Sequence, residues 1–217
     1  MSWQFPSNAF MTGVRRVVAD PREIILLLHG LNERGKRIYR KLLPYLPSDA
    51  LIISPNGIFP LPDQRSDGLR LGFTWYIFDV VHKTYQVNQD QAKLWLRDLV
   101  ASANPHGLPV TVIGFSQGGY LAPLVGKEIA ECKRVLGLAC EFRAALIKGP
   151  LGFDLHALHG SSDPIISIQS AQNEVQLLKE KHINCTFHTI QETGHEISAS
   201  MGETVRKILR DSGKRSL

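Results

Sequence analysis

Apolar and polar positions fall in alternating blocks along the chain. Glu23-Ile-Ile-Leu-Leu-Leu28 is a continuous apolar run behind one glutamate, the pattern of a strand buried on both faces. Residues 34–46 then set charged against apolar side chains at helical spacing. Ala50-Leu-Ile-Ile-Ser54 is a second short apolar run, closed by Pro55-Asn56-Gly57. Segment 56–82 is aromatic and glycine-containing, with no sustained period, and reads as irregular. Residues 89–103 place Ala92, Leu94-Trp95-Leu96 and Leu99-Val100 on one amphipathic helix. The pattern goes on to predict strand 109–114, helix 117–130, strands 134–140 and 155–159, helix 168–181, strand 184–190 and a closing helix near 203–209.

Strands alternating with helices imply right-handed crossovers, and so an α/β fold with a mostly parallel sheet and helices on both faces. The 217 residues suit a single domain over 1–217. They leave no room for a large inserted lid. In such sheets function gathers in the loops at the carboxyl ends of the strands. The residues to inspect are therefore His29-Gly30-Leu31, Pro55-Asn56, Ser116, Glu141, Asp163 and His195.

Composition narrows this only a little. Apolar residues at 43% and charged residues at 21% are ordinary for a soluble domain. The net charge of +5 is dispersed, with only Arg206-Lys207 and Lys214-Arg215 adjacent near the end. No aromatic-basic interleaving accompanies it, so no nucleic-acid partner is expected. Cys132, Cys140 and Cys185 are an odd count without CxxC spacing, which argues for a reducing compartment over a disulfide framework. MSWQFPSNAFMTG lacks the charged start and apolar run of a leader, and the longest apolar run, 24–28, is too short to span a bilayer. A cytoplasmic protein without stable membrane insertion is expected. No HExxH or clustered His/Asp set suggests a metal, and no cofactor is expected.

The most informative stretch is VTVIGFSQGG, residues 110–119. A β-rich run meets a helical run through G-x-S-x-G. A strand-to-helix turn that pushes a serine forward strains its backbone, and side chains two residues before and after would collide. Gly114 and Gly118 remove them, and Gly119 gives the helix room to approach the strand. Ser116 Oγ would then stand above the sheet near a helix N-terminus. A hydroxyl is a poor nucleophile without a base. His195, in Glu192-Thr-Gly-His195-Glu, follows the last strand on a glycine-containing turn and is the candidate. The imidazole needs an acid to orient it. Asp163, in His159-Gly-Ser-Ser-Asp-Pro-Ile165, follows an apolar strand, and Glu141 is the runner-up on the preceding loop. The order Ser116, Asp163, His195 is that of α/β-hydrolases. An oxyanion hole needs two N–H donors: Gln117, next to the serine, and Leu31, in Leu28-His-Gly-Leu-Asn32.

LHGLNE, GFSQGG, HGSSDPII and ETGHEI, in this order, resemble the carboxylesterase/phospholipase family of α/β-hydrolases over roughly residues 22–210. The resemblance implies a serine hydrolase without metal or organic cofactor, acting on small acyl esters. It likewise places oxyanion donors at Leu31 and Gln117. Lysophospholipase and acyl-protein thioesterase are the alternative activities, and homodimers are common in the family. Two stretches depart from its pattern. A tryptophan-phenylalanine-aspartate motif is replaced by Phe73-Thr-Trp-Tyr-Ile-Phe-Asp79, and a serine-glycine by Ala139-Cys140-Glu141-Phe142. Both should flank the acyl pocket. Within 56–82, Trp75, Phe73 and Phe59 are the candidate substrate-binding residues of an apolar wall. The same aromatics could instead form a satellite core that packs the loop down. The short chain favours short- to medium-chain esters. A rival of another class is a small-molecule-binding protein on the same fold without catalysis.

Overall fold

The structure, a computed structural model, describes residues 13–211. Residues 1–12, nearly all of MSWQFPSNAFMTG, and Lys214-Arg215 lie outside the described residues. Seven strands form the main sheet: β1 (Val14–Arg16), β2 (Glu23–Leu28), β3 (Ala50–Ser54), and four more that take numbers β8 to β11. Those four are β8 (Val110–Phe115), β9 (Cys132–Leu138), β10 (Asp154–Gly160) and β11 (Cys185–Ile190). Their spatial order is β1-β3-β2-β8-β9-β10-β11, with β1 antiparallel to β3 and every other pairing parallel. Helices α1 (Gly35–Leu42), α2 (Asp90–Ala103), α3 (Gln117–Glu128), α4 (Ile168–Glu180) and α5 (Ala199–Asp211) cover it. This is the α/β-hydrolase architecture that the alternating pattern implies.

The two faces of β2 explain its unbroken apolar run. Ile24, Leu26 and Leu28 belong to the core cluster on one face of the sheet, which also holds Leu96 of α2, Leu121 of α3 and Leu178 of α4. Ile25 and Leu27 pack on the other face, against Ile38 and Leu42 of α1 and Met201 and Val205 of α5. The five apolar side chains of β2 are fully buried. Two hydrophobic faces per strand make both layers of helices obligatory.

Several boundaries differ from the sequence reading. The helix expected over 34–46 stops at Leu42 and tightens into a 3₁₀ turn, Leu43–Tyr45. Pro44 has no N–H to continue the α-helical ladder. β1 is new, and β9 begins at Cys132 and ends before Ala139, whose φ of 47° turns the chain. The largest correction concerns segment 56–82. It holds one antiparallel ribbon, β4 (Phe59–Arg65) with β5 (Gly68–Thr74), and the first strand of a second, β6 (Ile77–Asp79), which pairs with β7 (Thr84–Val87) just beyond it.

The strand order positions the chemistry. From β2 the chain moves to β3 on one side, and β8 then joins β2 on the other. The sheet thus changes winding direction between β2 and β8, where doubly wound sheets open a crevice at their carboxyl ends. Leu28 pairs with Gly114 at that end. The loops that follow β2 and β8 therefore leave the sheet side by side.

Candidate active site

Ser116 occupies the corner between β8 and α3 with φ 49° and ψ −118°, a region that side-chain-bearing residues rarely adopt. Its neighbours hold it there. Ser116 N donates to Leu138 O at 2.9 Å, while Gly119 N and Tyr120 N donate to Ser116 O at 2.8 and 3.1 Å. The flanking glycines are needed for the reason read from the motif. A Cβ on Gly114 would lie 2.1 Å from Gly118 O, and one on Gly118 would lie 2.3 Å from Leu28 O.

His195 approaches this serine from the turn after β11. Its Nε2 is 3.0 Å from Ser116 Oγ, and its Nδ1 is 2.8 Å from Asp163 Oδ2. The other oxygen, Asp163 Oδ1, accepts from Ile165 N at 2.8 Å and Ile166 N at 3.0 Å. The Asp163 side chain has no exposed surface, whereas that of His195 is 19% exposed. Burial pushes the Asp163 carboxyl up, but the two N–H donors and the His195 ring outweigh it and hold the group below its ordinary range. A carboxylate on Nδ1 makes that nitrogen the donor. Nε2 is left as the acceptor facing the hydroxyl. His195 also rests against the Phe115 ring, centroids 5.2 Å apart. Glu141 is directed elsewhere: its carboxylate accepts from Ser170 Oγ of α4 at 2.5 Å.

The loop after β2 is built around a buried histidine. His29 has no exposed surface. Its Nδ1 lies 2.7 Å from the carbonyl of Gly30, and its Nε2 accepts from Gly57 N at 2.8 Å. One tautomer, protonated on Nδ1, satisfies both contacts. Burial lowers its pKa to about 4, so the ring is neutral at pH 7. The Trp75 indole donates to His29 O at 2.8 Å, and the rings lie 4.7 Å apart. Gly30 N donates to Glu33 Oε2 at 3.2 Å, and Leu31 beyond it is 58% exposed. Gln117 and Gly118 open α3, where backbone N–H groups have no partner within the helix.

The β4–β5 ribbon braces this loop. Asn32 N donates to Phe73 O at 2.9 Å, and Phe73 N donates to Glu33 O at 3.0 Å. From the other side, the Gln117 side chain clamps the ribbon's end. Oε1 accepts from Trp75 N at 3.1 Å, and Nε2 donates to Tyr76 O at 3.0 Å and to Thr74 Oγ1 at 2.7 Å. Trp75 is wholly buried and Phe73 is 3% exposed. Phe59 is half-buried, opposite Thr74 in the ribbon. Trp75 and Phe73 thus pack behind the loop. Sequence reasoning missed the clamp made by the Gln117 and Thr74 side chains. It also missed the bracing role of His29, for which the adjacent Gly30 was the one available signal.

Gly30, Leu31, Phe115, Ser116, Ile165 and His195 line a cavity of about 440 Å³ that continues past Glu33 to Arg37 and Lys41 of α1. At the altered family position, Cys140 is fully buried, and burial pushes its thiol far above the ordinary range, so it remains protonated. Its Sγ sits where a Cβ on Gly119 would lie, 2.5 Å away.

Residues 14–212 match the family model described as phospholipase/carboxylesterase. The chain belongs to the phospholipase/carboxylesterase family. Within it, the chain is similar to the esterase YpfH of Escherichia coli (strain K12), with 23% identity over 189 residues, covering 81% of this chain and 77% of that one. Among solved structures the esterase PE8 superposes with a TM-score of 0.71 at 18% identity, covering 93% of this chain and 98% of its own. The Zea mays acyl-protein thioesterase 2 gives a TM-score of 0.68 at 20% identity, covering 92% and 99%. At these identities the structural likenesses establish the α/β-hydrolase fold of the family. No helix among the described residues is long and apolar enough to cross a membrane.

Proposed function

We propose that this family member is a carboxylesterase-type serine hydrolase in which Ser116 is the nucleophile, His195 the general base and acid, and Asp163 the residue that orients His195. The observation that carries the reading is one imidazole bridging Ser116 Oγ at 3.0 Å and Asp163 at 2.8 Å. Ser116 Oγ attacks the acyl carbonyl as Nε2 takes its proton. The carbonyl oxygen becomes an oxyanion, stabilised by the backbone N–H groups of Leu31 and Gln117. Removing one such donor costs on the order of 10²–10³ in rate. The oxyanion collapses as His195 passes its proton to the leaving oxygen or sulfur. Water activated by the same ring then releases the acid from Ser116. Asp163 stabilises the imidazolium formed in each step, and its depressed pKa keeps it ionised for that task.

Hydrolysis of 4-nitrophenyl butyrate tests this assignment. Ser116→Ala should lose at least ~10⁴-fold in kcat, and Asp163→Asn about as much, because the amide favours the wrong tautomer. Glu141→Gln should retain activity, since its carboxylate is committed to Ser170. Undiminished turnover by Ser116→Ala would exclude Ser116 as the nucleophile. Full activity in Asp163→Asn, with loss in Glu141→Gln, would move the acid to the other loop.

A further inference from the structure

The catalytic cavity does not close at α1. Glu33, Arg37 and Lys41 line it and also line a second, adjoining groove of about 1050 Å³ between α1 and the β4–β5 ribbon. That groove is bordered by six cationic side chains, Arg34, Lys36, Arg37, Arg40, Lys41 and Arg70, against two carboxylates, Glu33 and Asp63. Two of the six are matched: Arg37 pairs with Glu33 at 2.8 Å and Arg70 with Asp67 at 2.6 Å. Lys36, Arg40 and Lys41 are exposed, with no ion pair among the described residues. The chain's whole excess is only +5, so this density is local. It also runs against helix electrostatics. The first turn of α1 holds no acid and carries Lys36 and Arg37, although the positive end of a helix dipole disfavours cations there. Stability alone would select the opposite signs.

The groove adjoins the cavity that holds Ser116 and His195, sharing Glu33, Arg37 and Lys41 with it. His195, Glu196 and Ile197 line that cavity together with Arg37, Ile38 and Lys41 of α1, and His195 must deliver its proton to the leaving group. From these placements, and resting on the esterase reading above, we infer that the preferred substrates are acyl esters or thioesters whose leaving group is polyanionic: an alcohol or thiol bearing two or more phosphoryl groups. Guanidinium forks suit phosphate oxygens. Charge of one sign lining a cleft also raises the local concentration and on-rate of an oppositely charged ligand by ~10–10³.

The test holds the acyl group fixed and varies the leaving group. Butyryl-coenzyme A and butyryl-N-acetylcysteamine share the same thioester, and only the first carries phosphoryl groups. Wild type should show kcat/KM at least ~10-fold higher for the phosphorylated donor at low salt, mostly through KM. The ratio should collapse toward 1 in 0.5 M NaCl, where the Debye length is only a few ångströms. It should also collapse in Lys36→Glu/Arg40→Glu. Equal kcat/KM for both donors at low salt overturns the inference. So does turnover of 4-nitrophenyl butyrate without turnover of the phosphorylated donor. A preference for succinyl over butyryl 4-nitrophenyl esters would put the anion on the acyl side and overturn the leaving-group assignment. Failure on every donor, nitrophenyl butyrate included, would instead refute the esterase reading itself.

Discussion

Truncating the Gln117 side chain separates its structural role from the role of its backbone. Gln117→Ala keeps the backbone N–H proposed as an oxyanion donor but removes the clamp on residues 74–76. Two losses follow. Trp75 N loses its acceptor, Gln117 Oε1 at 3.1 Å, inside a residue with no exposed surface. A buried donor left unsatisfied costs about 1–3 kcal/mol. Tyr76 O loses the Nε2 donor at 3.0 Å but keeps Thr74 Oγ1 at 2.6 Å, so that second loss is an ordinary hydrogen bond of about 0.5–1.5 kcal/mol. Together they amount to about 2–4 kcal/mol. For a chain of this size, each kcal/mol moves the thermal midpoint by about 2–4 °C, so a fall of about 4–16 °C is expected. The measurement is thermal unfolding followed by far-UV circular dichroism, with 4-nitrophenyl butyrate kinetics on the same samples. Trp75 holds the carbonyl of His29, immediately before Gly30-Leu31. Loosening it should therefore lower kcat more than it raises KM. A midpoint within 1–2 °C of wild type, equivalent to less than about 0.5 kcal/mol, together with unchanged kcat, would refute the clamp.

Two other perturbations probe the packing around the serine corner. His29 has its pKa lowered from the ordinary 6.5 to about 4, so between those values the unfolded chain binds the proton that the folded chain refuses. Its contribution is complete above pH 6.5 and declines as pH falls toward 4, to a total of about 3 kcal/mol. Urea unfolding across that window should show a pH slope about one proton shallower in His29→Gln than in wild type, and parallel slopes would contradict the buried neutral ring. Gly119→Ala would place a Cβ 2.5 Å from Cys140 Sγ, an overpacking penalty of about 1–3 kcal/mol. Adding Cys140→Ala to it should restore part of the lost stability, and an unaltered melting temperature in Gly119→Ala alone would show that the two elements part without strain.

The parts of the fold that could be read from the residues are those where burial leaves one solution. β2, β3 and β8 announce themselves as unbroken apolar runs because both faces of the sheet are covered. The candidates Ser116, Asp163 and His195 could be picked out because each lies on a loop after a main-sheet strand, and the fold brings the three within hydrogen-bonding distance. The chemistry demands glycine beside the first and a turn before the last two. The ribbons of 56–82 were not legible. β4 reads Phe-Pro-Leu-Pro-Asp-Gln-Arg, and proline within a run argues against a strand. β4 pairs with β5 alone in its sheet. Pro60 and Pro62, two residues apart, point their missing donors to one side. An edge strand tolerates that on its open side. Nor could the sequence place Trp75. A lone aromatic after a strand suits a pocket wall or a buried strut equally, and no pattern in the residues announces that the indole donates to His29 O.

The β4–β5 ribbon is stitched to the loop after β2 at Phe73, near its inner end, whereas its turn lies beyond Gly68. At ~3.4 Å per residue the intervening strand reaches ~15 Å outward. Its distal half can therefore be lengthened, shortened or exchanged without moving an atom of the serine corner. Selection, or an engineer grafting tips between relatives, has a module here whose outer half can change while its inner end stays stitched to the loop after β2.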